Sequence, residues 1–168
     1  VNPGPESVED EKPALFLDGY LLNRSELEAR LDGAERVGEL ADQQLLRLVY
    51  ERIGEECFEI ARGVYNVCLY SPGEGQVRLI SCRSGARHLY YVLTKDLLLF
   101  GSQISALTAV AEWDRDVDGD AVADMFNFSY LCADRTLFRQ VRLLQGAREL
   151  VVTEDGNRLR PTWELEYD

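Results

Sequence analysis

The chain has 168 residues, 46% of them apolar and 29% charged, with a formal net charge of −12. That length favours one domain with a real core, and the acidity argues against a nucleic-acid or anionic-membrane partner, since phosphate neutralisation needs clustered Lys and Arg. No apolar run approaches the roughly 18 residues of a membrane span, and the first residues lack the basic and apolar regions of a secretory signal, so a cytoplasmic chain is expected.

Residues 1–13 carry three prolines and the acids Glu6, Glu9, Asp10 and Glu11. They read as an extended leading segment, with the domain proper spanning 14–168. Ala14–Leu17 reads as a short buried strand stopped by Asp18-Gly19. Asn23 and Glu26 have the spacing of a capping box, and Leu27 and Leu31 give the helix after it one apolar edge, ended by Asp32-Gly33. A longer helix is expected over Asp42–Ile53, with Leu45, Leu46, Val49 and Ile53 facing inward and Gly54 as its stop.

After Gly63 the period changes to two. Val64–Tyr70 is apolar on both faces, as in a strand covered on both sides. Ser71–Gly75 is a turn, Val77–Cys82 a returning strand, and His88–Leu93 with Leu97–Phe100 a further pair, which together predict an antiparallel meander across the middle of the chain. Ser102–Val110 and Asp120–Leu131 read as helices, and Leu150–Thr153 with Arg158–Arg160 as a hairpin around Asp155-Gly156. Such strands with helices before and after them suggest a layered α+β sandwich.

The four cysteines, Cys57, Cys68, Cys82 and Cys132, form no CxxC pair, and His88 is the only histidine, so no metal site is expected from them. Asp114, Asp116, Asp118 and Gly119 copy the first half of an EF-hand loop, but position 12 would be Met125 rather than a bidentate Glu. An acidic loop leading into a helix near Asp120 fits these residues better than calcium does.

Several short blocks, taken in order, resemble the glutaminase domain of asparagine-synthetase-type amidotransferases. Asp18-Gly-Tyr-Leu-Leu-Asn23 is similar to the family's Asn-Gly-Glu-Ile-Tyr-Asn, and Ala41-Asp-Gln-Gln44 to its Ser-Asp-Thr-Glu helix start. Gly63–Tyr70 resembles Gly-Met-Phe-Ala-Phe-Ala, and Cys82-Arg-Ser-Gly-Ala-Arg-His-Leu-Tyr-Tyr91 resembles Asp-Arg-Phe-Gly-Ile-Lys-Pro-Leu-Tyr-Tyr. Phe100–Leu107 is similar to Phe-Ala-Ser-Glu-Ile-Lys-Ala-Leu, and Thr136–Leu144 to the stretch before a Pro-Gly-His turn. The resemblance implies a four-layer αββα sandwich of the N-terminal-nucleophile hydrolase type, incomplete at its N-terminus. It also implies a synthetase (ATP-pyrophosphatase) domain or partner subunit beside it. The chain has no Ser-Gly-Gly-x-Asp-Ser loop of its own for adenylation.

In that family a cysteine at the mature N-terminus attacks the glutamine amide, a step that needs a low-pKa thiol beside a base. Val1 stands first here, no cysteine precedes Cys57, and none of the four matches a catalytic position. The family's oxyanion hole pairs an Asn side chain with the next Gly amide; the matching residues are Asp18 and Gly19. An ionised Asp18 cannot donate, and losing one such donor costs about 3–4 kcal/mol of transition-state stabilisation. Tyr20 replaces the Glu that would meet the substrate amine, and Asp42 alone matches a substrate-binding position, with helix N-cap as its structural reading. The resemblance thus leaves Asp18, Gly19, Tyr20 and Asp42 as residual substrate-binding residues, with no catalytic residue, metal or cofactor. A non-catalytic glutaminase-like interaction module is expected, with a homodimer through the exposed edge at Leu15–Leu17 as one arrangement. The alternative is a fragment of an active amidotransferase whose nucleophile segment lies outside this chain; a calcium-binding module is the weaker one.

Overall fold

The computed structural model describes residues 12–31, 37–110 and 113–164. In chain order its elements are β1 (Ala14–Leu21), α1 (Arg24–Glu28), α2 (Asp42–Ile53), α3 (Glu56–Ile60), β2 (Gly63–Ser71), β3 (Gln76–Ser81), β4 (Tyr90–Leu93), β5 (Leu98–Gly101), α4 (Ile104–Leu107), α5 (Gly119–Phe128), β6 (Val141–Leu143), β7 (Arg148–Thr153) and β8 (Gly156–Pro161). Two antiparallel sheets result, one in the order β1-β2-β3-β7-β8 and one in the order β5-β4-β6.

The alternation of side chains along each strand explains the layering. Leu15 and Leu21 of β1, Tyr65, Val67 and Leu69 of β2 and Ile80 of β3 point to one face. There they pack under Leu27 of α1, Leu45, Leu46 and Val49 of α2, and Cys57 and Phe58 of α3. The opposite face brings Cys68, Val77, Leu79, Leu150 and Val152 against Leu89, Tyr91, Leu98 and Leu144, which forms the core between the sheets. Val92 and Val141 on the far side of the smaller sheet bury Leu107 of α4 and Trp113. The order helices, sheet, sheet, helix is the four-layer α+β sandwich that the resemblance implies, with α1 and α2 together on one outer face.

Several local expectations change. β1 does not stop at Asp18-Gly19 but runs on to Leu21. Gly19, at φ 129°, lies so close to β2 that a Cβ would sit 2.1 Å from the Val64 carbonyl oxygen, so this glycine serves strand contact instead of a turn. The meander divides: β2 and β3 join one sheet, β4 and β5 the other, and β3 pairs with β7. The chain crosses between sheets at Gly85 (φ 60°), which meets Gly146 so closely that a Cβ on Gly146 would lie 2.7 Å from the Gly85 nitrogen.

The Asn23–Glu26 pair forms, with Nδ2 donating to Oε2 at 2.9 Å, but Asn23 does not cap its own helix. Its Oδ1 accepts from the Arg62 N–H (2.8 Å) and its Nδ2 donates to the Ile60 carbonyl (2.9 Å), so it ties α1 to the start of β2. α1 and α4 are shorter than their patterns, and α5 ends at Phe128 because Ser129 takes a left-handed φ of 61°. The stop expected at Asp32-Gly33 and most of the leading segment lie outside the described residues.

Candidate functional site

Between the two sheets, where β1 forms the open side, lies a cleft of about 320 Å³. Its walls are Cys68 of β2, Leu79 of β3 and Leu89, and Phe16 and Phe100 stand half-exposed at its lips. Asp18 reaches it from β1, Asn66 from β2 and Gln43 from the start of α2. No helix of the described residues is long and apolar enough to cross a membrane, and no group of three or more His, Cys, Asp or Glu among them is arranged to hold a metal ion.

Asp18 is held by a residue that the sequence pattern did not single out. Arg87 donates both Nε (2.6 Å) and Nη2 to the two carboxylate oxygens of Asp18, a fork-on-fork geometry that fills the acceptor positions facing it. The carboxylate beside it raises the Arg87 guanidinium above its ordinary range. Arg87 is itself positioned through its backbone: Asn66, opposite Asp18 on β2, donates Nδ2 to the Arg87 and His88 carbonyls (3.2 and 3.3 Å). The Asn66 Oδ1 is buried without a partner among the described residues, a cost of about 1–3 kcal/mol.

Asp42 serves the fold. It is the first residue of α2, not its cap, and the cap position is Ala41, whose N–H is satisfied by the Gln44 side chain at 3.0 Å. One Asp42 oxygen accepts the Leu21 N–H of β1 (2.7 Å) and the other accepts Arg24. Gln43 similarly accepts the Leu17 N–H at 3.1 Å. Two outward N–H groups of β1 are therefore taken by the first turn of α2, and Gly19 lies between them in the strand. Tyr20 is half-exposed and does not line the cleft. The structure thus brings Asp18 to the cleft beside Gly19, leaves Tyr20 outside it, and turns Asp42 to holding the strand edge.

No cysteine combines access with acidity. Cys68 lines the cleft, but burial raises its thiol. Cys57 is pushed up to about 12, chiefly by burial. Cys132 is raised by desolvation and then by Asp124. Cys82 has the acidity without the access. Burial raises it, yet the Ser84 hydroxyl and the backbone of Tyr65, Gly85 and Ala86 more than offset this and leave the thiol below its ordinary value. It is sealed beneath the helices on the other face of the sheet. The acidic loop is likewise absorbed locally: Asp118 caps α5 by accepting from the Asp120 and Ala121 N–H groups (3.0 and 3.2 Å), and Asp114 accepts from Asp116 N–H (3.1 Å).

The folded chain resembles the solved glutamine phosphoribosylpyrophosphate amidotransferase from Bacillus subtilis, with a TM-score of 0.62 and 16% identity, over 94% of this chain and 30% of that one. By sequence it is 21% identical to a provisionally named glutamine-hydrolysing asparagine synthetase 2 of Methanocaldococcus jannaschii, over 90% of this chain and 30% of that protein. It is 23% identical to glutamine-hydrolysing asparagine synthetase 1 of Bacillus subtilis, over 91% of this chain and 24% of that protein. The chain therefore spans less than a third of the length of these relatives. Residues 3–163 match the glutamine amidotransferase domain family, and the chain belongs to it.

Proposed function

We propose that this domain is a non-catalytic glutaminase-like module of an asparagine-synthetase-like, amide-forming protein, and that it acts by packing against a synthetase domain or a partner subunit. The observation that carries the reading is the Asp18–Arg87 pair. At the position where an amidotransferase of this family presents an amide donor to a developing oxyanion, this domain presents a carboxylate already engaged by a guanidinium. An oxyanion placed there meets a carboxylate, which accepts hydrogen bonds and cannot donate one as the amide would. The occupied Asp42 and the raised Cys68 thiol support the same reading, since neither is free for substrate or attack. The relatives, named as glutamine-hydrolysing asparagine synthetases, support the class proposed for the larger protein.

Intact-mass measurement after exposure to an electrophilic diazoketone analogue of glutamine tests the proposal. The expected result is an unmodified chain. A stoichiometric adduct on any of the four cysteines, blocked by excess glutamine, would contradict the proposal.

A further inference from the structure

The second half of α5 and the turn after it carry an exposed apolar run. Phe126 is 87% exposed, and Met125, Phe128 and Tyr130 are each exposed by about half. The Phe128 and Tyr130 rings lie against one another, tilted by 40° with centroids 6.0 Å apart. Of the ten residues of α5 only Ala121 is buried, and the helix is tied down at its start by the Asp118 cap and at its middle by Asp124, which accepts from Arg135 (3.0 Å). A ten-residue helix is too short to be stable on its own account in water. This one lacks the buried stripe that normally supports a surface helix, so another surface is needed to complete it.

We propose that this surface is the same face of a second copy of the chain, paired about a two-fold axis. The charge pattern selects that occupant. In a chain that is 29% charged, residues 125–133 contain no charged side chain. A face that recognises a basic partner would interleave acids with its aromatics. A two-fold interface instead sets the residues nearest its axis against their own copies, and a neutral centre avoids the like-charge contacts that a net charge of −12 would otherwise impose. With helices antiparallel, the acidic first turn of α5, at Asp118 and Asp120, lies away from its copy and toward the rim. The four side chains offer roughly 500 Å² of accessible surface. An isologous pair would bury about twice that, close to the ~1,000 Å² at which a specific interface begins. Aromatic and Met side chains are those enriched at the centres of such interfaces. The edge at Leu15–Leu17 is the poorer candidate, because Gln43 and Asp42 already take N–H groups of β1.

Sedimentation equilibrium of the 168-residue chain from micromolar to near-millimolar concentration tests this, alongside Phe126→Glu and Phe16→Lys. The expected result is a reversible dimer whose dissociation constant rises at least about tenfold in Phe126→Glu and is unchanged in Phe16→Lys. Circular dichroism should show both variants folded, and Phe128→Ser replaces Phe126→Glu if that variant is not. A wild-type monomer throughout the range, or a dimer that only Phe16→Lys weakens, overturns the proposal.

Discussion

Asp18 and Arg87 meet across 69 residues of sequence, and both are partly exposed, so their pair contributes little to stability. Asp18→Asn should cost less than about 1 kcal/mol by urea unfolding, the range for exposed ion pairs. Gly19 is the opposite case: Gly19→Ala forces a Cβ against the Val64 carbonyl at a φ that alanine avoids. It should cost several kcal/mol, or about 10 °C or more in Tm. Cys57 gives a pH signature. Its folded value lies near 12, above the ordinary thiol value of 9.0, so the folded state keeps its proton while the unfolded chain loses it. Stability is then full below about pH 9 and falls as pH rises toward 12, by up to about 1.4 kcal/mol per pH unit for this one group. Cys57→Ala should flatten that slope in urea midpoints measured across the alkaline range. In the sequence, Asp18 and Gly19 were visible as a changed motif, whereas Arg87 was not, because its partner is set by the pairing of β1 with β2 and by Asn66, which no local pattern encodes.

At the scale of elements, β3, β7, β8 and the start of α3 are joined by a closed set of charges. Glu149, 1% exposed, accepts from Arg78 and Arg160, and Glu55 accepts from both arginines at 2.8 and 2.9 Å. Removing Glu149 leaves two arginines, one of them buried, to share the single carboxylate of Glu55: Glu149→Ala should cost up to about 3–5 kcal/mol, whereas Arg78→Met with Glu149→Leu should cost far less. A double-mutant cycle by thermal or urea unfolding separates the two outcomes. At α5 the Asp118 carboxylate is already committed to the helix cap, so millimolar calcium should leave Tm unchanged. A ligand at 100 times its dissociation constant would add about 2.7 kcal/mol, a shift easily read. The long periodic elements, α2 and β2, were legible because each buries one face or both. α3 and β6, of five and three residues, were not, because a single turn or a three-residue strand carries no period.

For the molecule as a whole, the order of short blocks carried more than any pattern within them, and it led to two stacked antiparallel sheets between helices. Which strands share a sheet was not legible. β3 leads to β7, 67 residues away, because the Gly85–Gly146 contact takes the intervening chain across to the other sheet. Neither the partition of strands nor the filling of the cleft mouth is a property of adjacent residues. Both bear on the central claim, that this amidotransferase domain keeps the scaffold of a glutaminase and uses it for association. The direct measurement is ammonia release from glutamine by the purified chain against a heat-denatured control, repeated with Asp18→Asn to restore the amide donor. The account predicts background release from both proteins. Release above the control that disappears on replacing Cys68, or that rises in Asp18→Asn, would contradict it.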